Sequence, residues 1–172
     1  MKDAFQALAN WKTIKGIKTK VLTIDSINKN YTGNTQQIRI KRALKDYYNE
    51  TYGNLKYVLL GGDVQIVPTQ NCYVYISNTY THNDCPTDLY YACLETMDWD
   101  TNGNGKVGEI QDSVSLEQNL FVARLPVHNI QQVSNVVNRI VLYEQWRHSV
   151  CNTDSILMCG TKINTITDGE SD

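Results

Sequence analysis

The segment Asp98-Trp99-Asp100-Thr101-Asn102-Gly103-Asn104-Gly105-Lys106-Val107-Gly108-Glu109 fits the calcium-loop pattern D-x-[DN]-x-[DN]-G-x5-E at every specified position. A hard cation takes roughly six to eight oxygens at about 2.3–2.6 Å, and alternate side chains on a tightly turned loop converge on one point where a glycine permits the turn. A second register begins at Asp100, with Val107 as the inward apolar residue at position eight. Gln111 then stands where the bidentate acid belongs, and Glu109 or Asp112 has to substitute. Together the registers nominate Asp98, Asp100, Asn102, Asn104, Lys106, Glu109 and Asp112 as metal-site residues of a loop spanning 98–112. Neither register lies between amphipathic helices, because Tyr90 to Met97 reads as β-like and Ile110 to Gln118 as polar and irregular. The loop is EF-like rather than half of an EF-hand pair, and the competing reading is a metal-free hairpin turn rich in Gly and Asn. With so few carboxylates, a calcium ion here is expected to be structural and weakly held, as suits a calcium-rich extracellular setting.

The other chemistry-bearing residues have plainer readings. Gly61-Gly62-Asp63 ends an apolar run but belongs to neither GxxxxGK[ST] nor GxGxxG, so it predicts a tight turn in which Asp63 accepts backbone hydrogen bonds. Asp88, after Pro86-Thr87, reads as a helix or turn cap. Cys85 and His82, three residues apart on one loop, do not by themselves make a nucleophile and its base. His128 and His148 flank a helix, as a surface residue near its start and a favourable cation near its end. The three histidines form no HxxxH or HExxH pair, so no histidine metal site is expected. The five cysteines (Cys72, Cys85, Cys93, Cys151, Cys159) are odd in number and lack CxxC spacing. They read mostly as small core residues rather than a zinc ribbon or a complete disulfide framework.

The elements that must hold these residues follow from periodicity. Asp3 can cap a helix carrying Phe5, Leu8, Trp11 and Ile14, stopped by Gly16. Lys18 to Ile24 is a short β-favouring run. Asn34 or Thr35 opens a second helix reaching about Tyr52, with Ile38, Ala43, Leu44, Tyr47 and Tyr48 on its apolar side and Gly53 past its end. Tyr57-Val58-Leu59-Leu60-Gly61-Gly62-Asp63 predicts a strand buried on both faces of a parallel sheet. Cys72 to Ile76 and Leu89 to Leu94 read as strand-like pieces around a polar loop. Asn119 to Val122 is a strand broken by Arg124-Leu125-Pro126-Val127, and Asn129 or Ile130 opens a long helix bearing Val133, Val136, Val137, Ile140, Val141 and Tyr143. Ser155 to Cys159 is the last strand. Strands alternating with helices imply right-handed crossovers, hence an α/β fold with a mostly parallel sheet flanked by helices.

At 172 residues the chain is one domain's worth. Its 16 basic and 18 acidic side chains, a net charge of −2 with both signs mixed, give no electrostatic footprint for nucleic acid. No apolar run approaches the roughly 20 residues of a membrane span. Met1-Lys2-Asp3-Ala4-Phe5 carries no visible signal peptide. The chain begins in a helix and stops just after a buried strand, so the sheet is expected to be incomplete at both ends.

Several short stretches, in order and spacing, resemble the first half of the catalytic domain of the gingipain family of cysteine peptidases. They are Phe5, Leu8, Trp11-Lys12 and Gly16; Tyr57 to Asp63 with Ile66 and Pro68; Pro86-Thr87-Asp88-Leu89-Tyr90; Trp99 to Gly105 with Gly108-Glu109; Val122 to Val127; Tyr143-Glu144; and Gly169-Glu170-Ser171-Asp172. The resemblance implies a caspase-like fold in which residues 1–154 form a first subdomain and 155–172 begin a second, catalytic one. It also implies that the nucleophilic cysteine and its histidine lie beyond residue 172, so that none of the five cysteines here takes that role. In arginine-specific members the Gly-Glu-Ser-Asp segment supplies an aspartate at the base of the primary specificity pocket, which falls on Asp172; a carboxylate there can pair bidentately with a guanidinium. The acid that such members place near the catalytic histidine aligns at about Thr161, a departure from the pattern.

The expected function is therefore the N-terminal portion of a secreted or bacterial cell-surface cysteine endopeptidase, stabilised by calcium. Its partners would be its own C-terminal catalytic subdomain and a protein or peptide substrate, with no nucleic acid and no membrane span. The alternative is a non-catalytic, calcium-stabilised α/β binding module. A histidine and a cysteine each following a buried strand past Asp172 would favour the peptidase.

Overall fold

A computed structural model describes residues 1–77 and 80–145. The chain divides into two compact units, Met1–Asn138 and Arg139–Asp172. Within the first, helix α1 (Lys2–Ile14) is followed by α2 (Ile24–Asn30), α3 (Gln36–Glu50) and strand β1 (Tyr57–Gly61). Strands β2 (Gln70–Ser77) and β3 (Tyr80–Thr87), a short α4 (Leu89–Ala92) and β4 (Phe121–Leu125) come next. Helix α5 (Ile130–Gln145) begins in the first unit and ends in the second.

Strands β1 and β4 pair in parallel, with Tyr57 opposite Phe121 and Gly61 opposite Leu125. Strands β2 and β3 form a separate antiparallel hairpin. The molecule is thus α/β around a parallel pair, and the polar stretch expected as a loop between 77 and 88 is mostly the hairpin's second strand. The main core lies on one face of β1. There Ile40, Ala43 and Leu44 of α3 meet Leu60, Tyr90, Tyr91, Leu94, Trp99 and Leu120, with Val58 and Val122 packed against them. On the other face Phe5 of α1 presses so close to Gly61 that a Cβ built there would lie 2.6 Å from its ring. A Cβ on Gly62 would meet Ile66 at 2.8 Å, so this glycine pair is required for close packing.

Several expectations change. The β1 strand is not buried on both faces, since Tyr57 is 66% and Leu59 44% exposed. Lys18 to Ile24 is not a strand: Thr23 accepts a hydrogen bond from Ser26 N at 3.1 Å and caps α2 instead. Leu89 to Leu94 turns into the α4 helix, because Thr87 Oγ1 takes the Leu89 N–H at 3.1 Å and the turn buries Tyr90 and Tyr91 together. Helix α1 starts from Met1, with Asp3 inside its first turn rather than capping it. Ile14 is 79% exposed. At about 100° per residue it sits nine positions and half a turn away from Phe5, so a strict three-residue spacing drifts off the buried stripe. The second helix, capped by Thr35, and the long α5, whose Val133 and Val137 are buried, lie where periodicity placed them. Pro126 stops β4 only after it has run through Arg124 and Leu125. The strand expected at Ser155 to Cys159, and the boundary at 154, lie outside the described residues.

Candidate functional site

The loop 98–112 is anchored by Trp99, which is buried and meets Tyr90 edge-on at 5.3 Å. Gly108 N returns to Trp99 O at 2.6 Å, and Tyr73 N donates to Val107 O at 2.8 Å, so the loop is closed on itself and stitched to β2. Between these ties the chain turns through Gly103 (φ +70°) and Gly105 (φ +80°), a conformation that side chains with a Cβ rarely adopt. The turn gathers oxygens. Asp100 accepts from Asn104 N and Gly105 N, both at 3.0 Å, and Asn102 Oδ1 accepts from Asn104 N at 3.0 Å. Glu109 Oε1 receives the side-chain amides of Asn102 at 3.0 Å and Asn104 at 2.5 Å. Lys106 contributes main chain, its N–H donating to Asn104 Oδ1 at 2.8 Å and its carbonyl accepting from Glu109 N at 3.2 Å.

Asp112 is buried and closes the loop from within. Its Oδ1 takes Thr101 Oγ1 at 3.2 Å and Asn102 N at 3.3 Å, while Oδ2 takes Gly108 N at 3.1 Å and Glu109 N at 3.2 Å. Burial by itself raises this carboxyl's pKa, but the donors from Asn102, Thr101 and Glu109 outweigh it and hold the group below its ordinary value. Glu109 and Asp112 also cap each other's main chain across the 3-10 turn Ile110–Asp112. Asp98 stands apart: it is exposed, and its Oδ1 accepts from Asp100 N at 3.0 Å. The nominated residues therefore fall into three groups. Asp100, Asn102, Asn104, Lys106 and Glu109 share one hydrogen-bonded turn, Asp112 braces it, and Asp98 opens it. Val107, partly buried against the core, occupies the inward position of the register that starts at Asp100. Sequence reasoning missed Thr101, whose hydroxyl donates to both the carbonyl and the carboxylate of Asp112. The reciprocal spacing Glu109-x-x-Asp112 was the available signal for the bracing role.

A second constellation sits where β1 and β4 end. Gly62 N donates to Leu125 O at 3.0 Å and Asp63 N to Val127 O at 3.1 Å, extending the parallel ladder past the strands. That extension brings Asp63 Oδ2 within 2.6 Å of His128 Nδ1, while Asp63 Oδ1 accepts from Gln65 N and Ile66 N as the tight turn required. The hydrogen bond from His128 is the largest influence on Asp63 and lowers its pKa. His128 is thus a partner of Asp63, beyond the surface role expected of it. Asp88 makes no side-chain cap; its carboxylate is forked by Arg124 Nε at 2.7 Å and Nη2 at 2.6 Å.

Among the described cysteines, burial pushes Cys72 up to about 11 and raises Cys93 as well. Neither is in the electropositive, accessible setting that makes a thiolate nucleophile. Asp172 lies outside the described residues, as do His148, Cys151, Cys159 and Thr161.

The family model for peptidase family C25 matches residues 1–172, the whole chain, and the chain belongs to that gingipain family of cysteine peptidases. The parallel pair flanked by helices is consistent with the caspase-like peptidase domain that the resemblance implies. No curated protein and no solved structure matches the chain. No helix among the described residues is long and apolar enough to cross a membrane.

Proposed function

We propose that this chain is the first subdomain of a secreted or cell-surface gingipain-like endopeptidase, and that the Cys–His dyad hydrolysing the peptide bond lies beyond residue 172. Residues 1–154 would serve as scaffold and as one wall of the substrate cleft, with 155–172 opening the catalytic subdomain. The observation that carries this reading is the whole-chain family match. Two features support it. Cys72 and Cys93 have environments that disfavour a nucleophile, and the carboxyl ends of β1 and β4, where α/β sheets carry their clefts, present Asp63 and His128 to solvent. Asp172 is proposed to receive a substrate guanidinium. The test compares cleavage of peptides after Arg and Lys by this chain and by one extended about 200 residues downstream, a length set by ordinary domain size. Activity in the longer chain alone is expected. Activity in the short chain would overturn the location of the dyad, and activity in neither would turn the reading to a binding module.

The same proposal includes a structural calcium ion in the turn 100–109. The donor chemistry fits, because the residues gathered there offer hard oxygens: Asp100 and Glu109 carboxylates, Asn102 and Asn104 amides and the Lys106 carbonyl. A bound cation would supply the positive charge that Glu109 now draws from two amide N–H groups, and would stiffen the seam between the loop and β2. Thermal unfolding in calcium against a chelator tests it. The midpoint should rise with calcium at about 0.1–1 mM, the range of extracellular modules, and Asp100→Ala should abolish the rise. An equal midpoint with and without calcium would remove the ion from the reading.

A further inference from the structure

We propose that Cys72 and Cys85 are a disulfide-forming pair that ties β2 to β3. The two residues are direct cross-strand partners in the hairpin, the last in register before the irregularity between Cys72 and Val74. Directly opposed residues put their side chains on the same face of a sheet, with Cα atoms about 4.5–5.5 Å apart. That separation falls within the roughly 4.4–6.8 Å over which disulfides close. Both thiols are free as the chain stands, Cys85 exposed and Cys72 buried. Cys72 Sγ faces Gly108, 3.9 Å from where a Cβ on that glycine would lie, and its neighbour Tyr73 bonds Val107. The bond would therefore fasten the hairpin at its seam with the loop 98–112.

The accessible and shielded thiols define an order of events. The oxidant is a small-molecule disulfide or the disulfide of a thiol oxidoreductase, written RSSR. Cys85, as thiolate, attacks one sulfur of RSSR, forming a Cys85–SR mixed disulfide and releasing RS⁻, which takes up the proton Cys85 lost. Cys72 then loses its proton and attacks the Cys85 sulfur, forming the Cys72–Cys85 bond and expelling the second RS⁻, which is protonated in turn. Two protein thiols are oxidised by two electrons, and RSSR is reduced to two RSH. Burial raises the Cys72 thiol, so closure quickens as pH rises toward that value.

The test treats the purified chain with oxidised glutathione at pH 8, blocks remaining thiols with N-ethylmaleimide and reads intact mass and a chymotryptic map. Cleavage after Tyr75, Tyr80 and Tyr91 separates Cys72, Cys85 and Cys93 onto different peptides. The expected result is three of the five cysteines alkylated and a linked peptide pair carrying Cys72 and Cys85. Cys85→Ser, a change at an exposed site, should remove that linked pair. Five alkylated cysteines, a persistent glutathione adduct on Cys85, or a link from either residue to Cys93, Cys151 or Cys159 would overturn the proposal. Finding the link depends neither on peptidase activity nor on calcium.

Discussion

Lys41 is fully buried on α3, where its Nζ donates to Thr96 O at 2.6 Å and lies 3.9 Å and 5.1 Å from the ring centres of Tyr90 and Trp99. Burial lowers its pKa from 10.5 to about 8, although the carbonyl and the two ring faces favour the cation. A base with a lower pKa in the folded chain binds fewer protons there than when unfolded. The contribution of Lys41 to stability should therefore rise with pH from about 8 toward 10.5, at up to about 1 kcal/mol per pH unit. Lys41→Met keeps most of the volume and removes the charge, so that rise should vanish while stability at pH 7 stays within about 2 kcal/mol of the parent. Lys41→Ala, which leaves a cavity, should lose about 2–4 kcal/mol at every pH. Urea unfolding of the three chains at pH 7 and pH 9 decides it; an unchanged slope in Lys41→Met would show that the lysine is not the titrating group. Periodicity marked Ile38, Ala43 and Leu44 as the inward side of α3 but gave no sign of Lys41, since a lysine at a core position is read as solvated unless its carbonyl and ring partners are known.

At the scale of elements, Arg124 joins three segments that are distant in sequence. Its guanidinium forks Asp88 ahead of α4 and donates through Nη1 to Gly62 O at 2.9 Å and Val67 O at 2.6 Å, in the turn after β1. The side chain is only 13% exposed, so these four bonds are made largely out of water. Lysine cannot reproduce a planar fork. Arg124→Lys should cost about 2–4 kcal/mol by urea unfolding, because one ammonium keeps the charge but cannot reach Asp88 and both carbonyls at once, and Asp88→Asn a similar amount, because it leaves the guanidinium charge unmatched. A pair of variants within about 0.5 kcal/mol of the parent would mean that β4 is held by its ladder alone. The same scale shows which elements the sequence could reveal. The helices α3 and α5 and strands β1 and β4 were legible because each carries enough apolar period to dominate. The hairpin strand Tyr80–Thr87 was not, being polar and containing Pro86, with its strand character set by pairing to β2. Leu89 to Leu94 misled for the opposite reason: it is apolar and aromatic, but two consecutive tyrosines must both be buried, which a helical turn manages and a two-faced strand here does not. In the loop 98–112 the alternation of oxygen-bearing side chains was visible in residue types, whereas the separation of Asp98 and Asp112 from the turn depended on which backbone N–H groups each carboxylate reached.

Taken as a whole molecule, the titrating groups set opposing slopes that place the stability maximum well away from the sequence pI of about 5.9. On the acid side, Asp63 has a lowered folded pKa, so its contribution is present above the unfolded carboxyl value and lost as pH falls through the folded one. His128→Ala removes the largest cause of that lowering and should move acid unfolding to higher pH, by less than about one unit for so exposed a pair. On the alkaline side Lys41 adds stability above about pH 8. Cys72 acts in the other direction: its folded pKa of about 11 exceeds the ordinary 9.0, so the folded chain holds a proton that the unfolded one releases, and stability falls as pH rises beyond 9. Tyr90 and Tyr91, both raised by burial, extend that fall above pH 10. The sum is a curve that climbs from acid, gains again past pH 8 and turns over between about pH 9 and 10. Urea midpoints measured from pH 3 to 11, with reductant and calcium held fixed, should trace it. A maximum near pH 6 instead would mean that the lysine at the centre of the core is not paying a burial penalty, and that its carbonyl and ring contacts compensate for the water it has lost.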